Sequence, residues 1–172
     1  MFKIEKTILN SQQRLKKMKT WLVFILIFLG FLGLVVWQTS ILEKTMSAEE
    51  YLTLGVEKGS MGSHDEAIEF FKKALITNPD FVAAYLALGN AYGNTKNYKN
   101  ALNAYKEGIQ INPLHKDVPR MEMNIAWVSH KILDHKTAII FTKKAIQSFT
   151  DRNDYEGVAE AGIRLRLFEN KY

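Results

Sequence analysis

The chain has 172 residues, three prolines and no cysteine, and 47 % of it is hydrophobic. That apolar content is too high for a disordered chain, and the absence of thiols excludes disulfides, thiolate metal centres and thiol catalysis. The net charge of +5 resides in residues 1–37, where six basic residues oppose one acidic residue; residues 38–172 carry 17 of each sign. A protein that binds phosphate backbones needs its basic surface on the folded part, so no nucleic-acid partner is expected, and Arg164 and Arg166 read as a solvated helix face.

In chain order, residues 1–20 form a basic tail that ends in "RLKKMK", Arg14–Lys19. Trp21–Trp37 then runs seventeen residues without a charged or polar side chain. At about 1.5 Å of rise per residue this run nearly covers a hydrocarbon core of about 30 Å, and tryptophan at both ends suits the headgroup level. The expected element is a transmembrane signal-anchor helix over residues 21–42. The amino-terminal region is long for a signal peptide, and "WQTSILEK" offers no small-x-small cleavage site. Basic residues are retained on the cytoplasmic side, whereas the segment after the span is net acidic. The tail is therefore expected in the cytoplasm, and the rest of the chain on the outer side of a cytoplasmic (inner) membrane.

The remainder shows an internal period of 34 residues. Aligning Ala48–Phe81 with Val82–His115 puts Tyr51 on Tyr85, Leu54 on Leu88, Gly55 on Gly89 and Ala67 on Ala101. Phe71 falls on Tyr105, Ala74 on Gly108, Asn78 on Asn112 and Pro79 on Pro113. A third, degenerate unit spans residues 119–152 after three inserted residues. It carries Ile125-Ala126 at the Leu-Gly place, Ala138 and Ala145 at the small places, Thr142 at the second aromatic place and Thr150 in place of proline. Residues 155–169, with Val158, Ala161, Gly162 and Leu165 on one face, read as a closing cap helix. Asp117 before Pro119 marks a helix start, and "SHDE", Ser63–Glu66, reads as a capping box.

This order of aromatic, Leu-Gly, alanine, aromatic, small residue and proline resembles the tetratricopeptide repeat. The resemblance covers residues 47–169 and implies an all-α fold: a transmembrane helix followed by a solenoid of helical hairpins, about three repeats and a cap. It implies small residues where the two helices of a unit cross (Gly55, Gly89, Ala67, Ala101). Tyr51, Tyr85, Tyr92, Phe71 and Tyr105 would fill the space around the crossing. Gly89 and Gly93 lie four apart but differ: Gly89 aligns with Gly55 and Ala126, whereas Gly93 aligns with Gly59 and His130.

Chemistry finds little foothold. His64, Tyr98 and His135 share one place in the unit, which reads as a packing slot, and His130 and His135 are five apart, the wrong spacing for one helix face. No phosphate-loop or nucleophile-elbow motif is present. No catalytic residue, metal, cofactor or small-molecule substrate is therefore expected. The resemblance implies a partner protein or peptide in a concave groove lined by Leu52 and Val56, then Ala83, Leu86 and Asn90, then Arg120, Asn124 and Trp127. The family's clamp for a chaperone carboxyl terminus is incomplete, because Leu52 and Val56 stand where it has lysine and asparagine. The expected function is a membrane-tethered scaffold supporting assembly of an envelope complex. The alternative is a permanent accessory subunit held by its span.

Overall fold

The computed structural model describes residues 18–31 and 46–170, as two units that divide between Thr45 and Met46. In the first unit, helix α1 covers residues 18–31, and all of its side chains are exposed, including Trp21, Phe24 and Phe28. Among the described residues no helix is long and apolar enough to cross a membrane. Residues 32–42 of the expected span, and residues 1–17 of the tail, lie outside the described residues.

Among the described residues the second unit contains seven helices: α2 (Ala48–Ser60), α3 (His64–Thr77), α4 (Val82–Asn94), α5 (Tyr98–Ile111), α6 (Val118–Lys131), α7 (His135–Thr150) and α8 (Tyr155–Glu169). They pair in sequence as α2–α3, α4–α5 and α6–α7, with α8 on α7, while α2, α4 and α6 also touch in series. Two helix ends follow from local chemistry. Asn78 and Asn112 close α3 and α5, and each side-chain Oδ1 accepts an N–H two residues on, across the proline that cannot continue the helix.

The short turns inside the hairpins share one closure. The backbone N–H of Ser63, Asn97 and Asp134 donates to the carbonyl five residues back, on Lys58, Tyr92 and Ser129. The residue before each donor is left-handed: Gly62 at φ 82°, Lys96 at 62° and Leu133 at 64°. This is the helix-stop geometry that glycine adopts without strain, and here two of three copies do without it.

The expected capping box at Ser63–Glu66 does not form. Ser63 sits at ψ 62°, makes no side-chain cap bond, and Glu66 pairs instead with Lys58 Nζ at 2.7 Å. At the same backbone angle Asn97, Asp134 and Asp154 do cap their helices, because their oxygen stands one atom further out. The box is found at Ser47–Glu50, where ψ of 163° aims the shorter serine hydroxyl at the Glu50 N–H.

The core runs as one seam between successive helices, and its unit is a ring laid on a glycine. Phe71 and Tyr105 are 3 % and 2 % exposed. A Cβ on Gly55 would collide with the Phe71 ring, and one on Gly89 with the Tyr105 ring. The third unit exchanges both partners. Ala126 carries the Cβ, and opposite it Thr142 replaces the ring, fully buried with its hydroxyl donating to Ala138 O at 2.7 Å. What reads as degeneracy in sequence is a trade of volume between two helices. The three inserted residues lie in the turn before and at the start of α6. Arg152 stitches that turn down: Nη2 donates to the carbonyls of Leu114 and His115 at 3.2 Å, and Nη1 to Ser148 O at 2.9 Å.

The two glycines of α4 separate cleanly. At Gly93 an added Cβ would lie 4.0 Å from Trp127 and from the Tyr105 hydroxyl, ordinary van der Waals distance. Gly93→Ala is expected to raise unfolding stability by about 0.5–1 kcal/mol through helix propensity. Gly89→Ala is expected to lower it by about 1–3 kcal/mol through overpacking. Denaturation followed by circular dichroism reads both, and equal effects would refute the distinction.

Candidate functional site

The row of first helices, α2, α4 and α6, together with α8 forms the surface on which the expected groove residues fall. Four of those residues come together. Asn90, Asn124 and Trp127, with Gly93, Asn94 and Tyr105, border a cavity of about 320 Å³. Asn90, Arg120 and Asn124, with Met123, Glu160 and Arg164, border an adjoining one of about 270 Å³.

Asn90 and Asn124 are the shared wall of both cavities, and Asn90 is the hub of the bonds there. Its Oδ1 accepts from Tyr105 Oη at 2.9 Å and from Asn124 Nδ2 at 2.8 Å. The two bonds saturate that oxygen and orient the amide, which leaves the Asn90 NH₂ and the Asn124 Oδ1 available at the cavity walls. Tyr105 is fixed from below by the ring packing on Gly89. Burial pushes its hydroxyl far above the usual phenol range, so it stays a neutral donor to Asn90. Trp127 is half-buried, meets Tyr98 edge-on with ring centroids 6.3 Å apart, and carries Lys131 Nζ 5.2 Å from its ring. A flat apolar ring, two aligned amides and a pair of guanidiniums thus follow one another along the groove.

The polar end is supplied by two elements. Arg120 is exposed on the first turn of α6, and Arg164 of α8 holds Glu160 at 2.7 Å. One cationic group therefore remains in excess at this end. Glu160 and Arg164 belong to the segment read from sequence only as a cap. Their role could have been suspected from their i, i+4 spacing on α8, but the side of the helix that faces the groove is set by packing.

The other expected groove residues are placed differently. Leu86 is buried at 7 % exposure in the cluster with Met121 and Ile125, and Leu52 packs against the α3–α4 core. Both hold adjacent helices together and do not line the cavities. Ala83 is half-buried and Val56 is 54 % exposed; neither borders the cavities. The aromatic slot at the start of each second helix is also more than a filler. The turn between α6 and α7 brings the rings of His130 and His135 to 5.4 Å, despite their spacing of five, and His130 stacks on Phe168 of α8 at 4.5 Å.

Behind the groove, Glu122 on the α7 side of α6 is 8 % exposed, with its Oε2 buried. Burial raises its pKa above the ordinary carboxylate range; the Ser148 hydroxyl and the charges of Lys144 and Arg152 offset this in part. The folded state therefore holds this proton to higher pH than the unfolded chain does. The stability it contributes is present at acid pH and is lost as pH rises through the raised pKa. Glu122→Gln is expected to be more stable than the wild type near pH 7, with the gain shrinking toward about pH 4. Urea unfolding at a series of pH values measures it, and a constant difference across pH would refute it.

With this geometry in view, comparison with known proteins is direct. The family model of the tetratricopeptide repeat matches residues 60–121. Small glutamine-rich tetratricopeptide repeat-containing protein 2 of Mycosarcoma maydis is 38 % identical over 53 residues, 31 % of this chain, and the match spans only 15 % of that protein's length. PcrH of Pseudomonas aeruginosa, solved with the chaperone binding region of PopD, has a similar structure with a TM-score of 0.66. It is 20 % identical, and the match covers 72 % of this chain and 91 % of PcrH. The TPR2B domain of yeast Sti1, solved as its pHsp70 complex, gives a TM-score of 0.68 at 14 % identity, over 73 % of this chain and 98 % of the domain. The folded unit is an all-α solenoid of the tetratricopeptide kind.

Proposed function

We propose that this protein is an adaptor that holds an extended segment of a partner protein in the groove between Trp127 and Arg120, and that residues 21–42 tether it to a cytoplasmic membrane. The observation that carries the binding reading is the Tyr105–Asn90–Asn124 network. It holds one amide donor pair and one amide acceptor in place, the groups that pair with a peptide backbone in extended conformation. Because these amides are already oriented, a partner loses little by ordering them. Trp127 supplies an apolar contact for one side chain, and the excess guanidinium beside Arg120 favours an acidic group at the other end. Among solved structures of the same fold, PcrH is in complex with the chaperone binding region of PopD and the Sti1 TPR2B domain is in a pHsp70 complex, which supports a protein as the class of partner.

The tether rests on the seventeen-residue apolar run from Trp21 and on the basic flank before it. Confinement near a membrane raises the effective concentration of adaptor and partner, so modest groove affinity suffices for assembly of an envelope complex.

A photoreactive residue at position 90 or 127 of the full chain is expected to crosslink one partner in membranes. The same residue at Lys106, exposed on α5, is not. Crosslinking of equal strength from Lys106 would overturn the groove reading. Protease added to intact spheroplasts is expected to digest the α2–α8 domain, whereas protection until lysis would reverse the orientation.

A further inference from the structure

The outermost helix of a solenoid ordinarily turns a polar face to solvent, since no further helix covers it. Helix α8 departs from this. Its inward side is used: Gly157 accepts the Phe149 ring so closely that a Cβ would collide with it, and Ala161 and Phe168 are buried. Its outward side carries Tyr155, Ala159, Ile163 and Leu167, four residues apart in each step. All four are exposed, with Tyr155 at 73 % and Ile163 and Leu167 at 61 %. The row extends about 18 Å along the helix.

Two charges flank this row, and they say what covers it. Glu156 lies beside the row at its amino-terminal end and Arg166 beside it at the carboxyl-terminal end; both are exposed, and neither forms an ion pair among the described residues. With helical steps of about 100°, Glu156 and Arg166 stand on opposite sides of the row's midline by similar angles. The pattern is symmetric about one point midway between Ala159 and Ile163. Laid against itself in antiparallel sense, the helix puts Ala159 opposite Ile163, Tyr155 opposite Leu167 and Glu156 opposite Arg166, each pair occurring twice. Laid in parallel sense, it would put Glu156 on Glu156 and Arg166 on Arg166.

We infer that the outer face of α8 is a self-association surface, on which a second copy of this chain docks antiparallel across a twofold axis. The contact is isologous, so each favourable pair is made twice. Ala159 at the centre lets the two helices approach to the 8–10 Å expected of a ridges-in-grooves crossing (approximately). A single helix pair buries less than the roughly 1,200–2,000 Å² of a standard stable interface, so the dimer is a weak one. Glu160 and Arg164 lie off this row and border the groove, so pairing leaves the groove of each copy open.

Sedimentation equilibrium of the full chain in detergent tests the surface. The wild type is expected to show a monomer–dimer equilibrium, and Ile163→Asp to raise its Kd by more than about tenfold. Glu156→Arg and Arg166→Glu are each expected to weaken the dimer, and the double variant E156R/R166E to restore it, because the charges meet again with roles exchanged. Circular dichroism checks that each variant keeps its helices. A monomeric wild type would overturn the inference. So would a dimer indifferent to Ile163→Asp, which would place the contact on another surface, or a double variant no better than the single ones.

Discussion

Everything in the folded unit hangs on how closely two helices of a hairpin can approach. Phe71 on Gly55 and Tyr105 on Gly89 set that distance: a ring from the second helix lies flat on backbone from the first, where a side chain would exclude it. Close approach buries the ring almost completely and turns each hairpin into a flat plate that stacks on the next. The third hairpin meets the same constraint by the opposite exchange, Ala126 against Thr142, and pays in a buried hydroxyl that must bond back to its own helix. The cap repeats the device between α7 and α8, with Phe149 on Gly157.

The groove inherits its order from this packing. Tyr105 belongs to the core by its ring and to the groove by its hydroxyl, so the element that closes the second hairpin also orients Asn90, and through it Asn124. Stability and the proposed recognition are therefore coupled at one side chain. A loosened Gly89–Tyr105 contact would disorder the amides of the groove, even though neither residue reaches far into it. Binding sites on solenoids gain their rigidity this way, from interiors already required for folding.

The two faces of α8 divide the remaining functions. One side completes the polar end of the groove with Glu160 and Arg164, and the adjoining outer face presents an apolar row with unpaired charges at its ends. A helix that closed the stack and did nothing else would need neither. Under the tether proposed for residues 21–42, confinement would make the inferred twofold contact and a shallow groove effective at modest affinity.

The repeat was legible in the residues, because glycine, alanine, aromatic and proline positions answer to steric demands that recur every 34 residues. Helix order and the difference between Gly89 and Gly93 followed from that register. The groove was legible in part. Asn90, Arg120, Asn124 and Trp127 border the two cavities, but Leu52 and Leu86 at equally exposed-looking places are drawn inward, each into a core cluster shared with the next hairpin. The Ser63 cap fails because, at a backbone angle where asparagine and aspartate still reach the helix N–H, the serine oxygen stands one atom short. Periodicity and residue type thus decide which faces of a helix are small, apolar or charged. Which neighbour each face meets, and at what angle, depends on long-range packing between helices. The amide network, the role of Glu160 and Arg164, and the uncovered row on α8 belong to that second kind, since each is made of residues whose partners are chosen only when the stack closes.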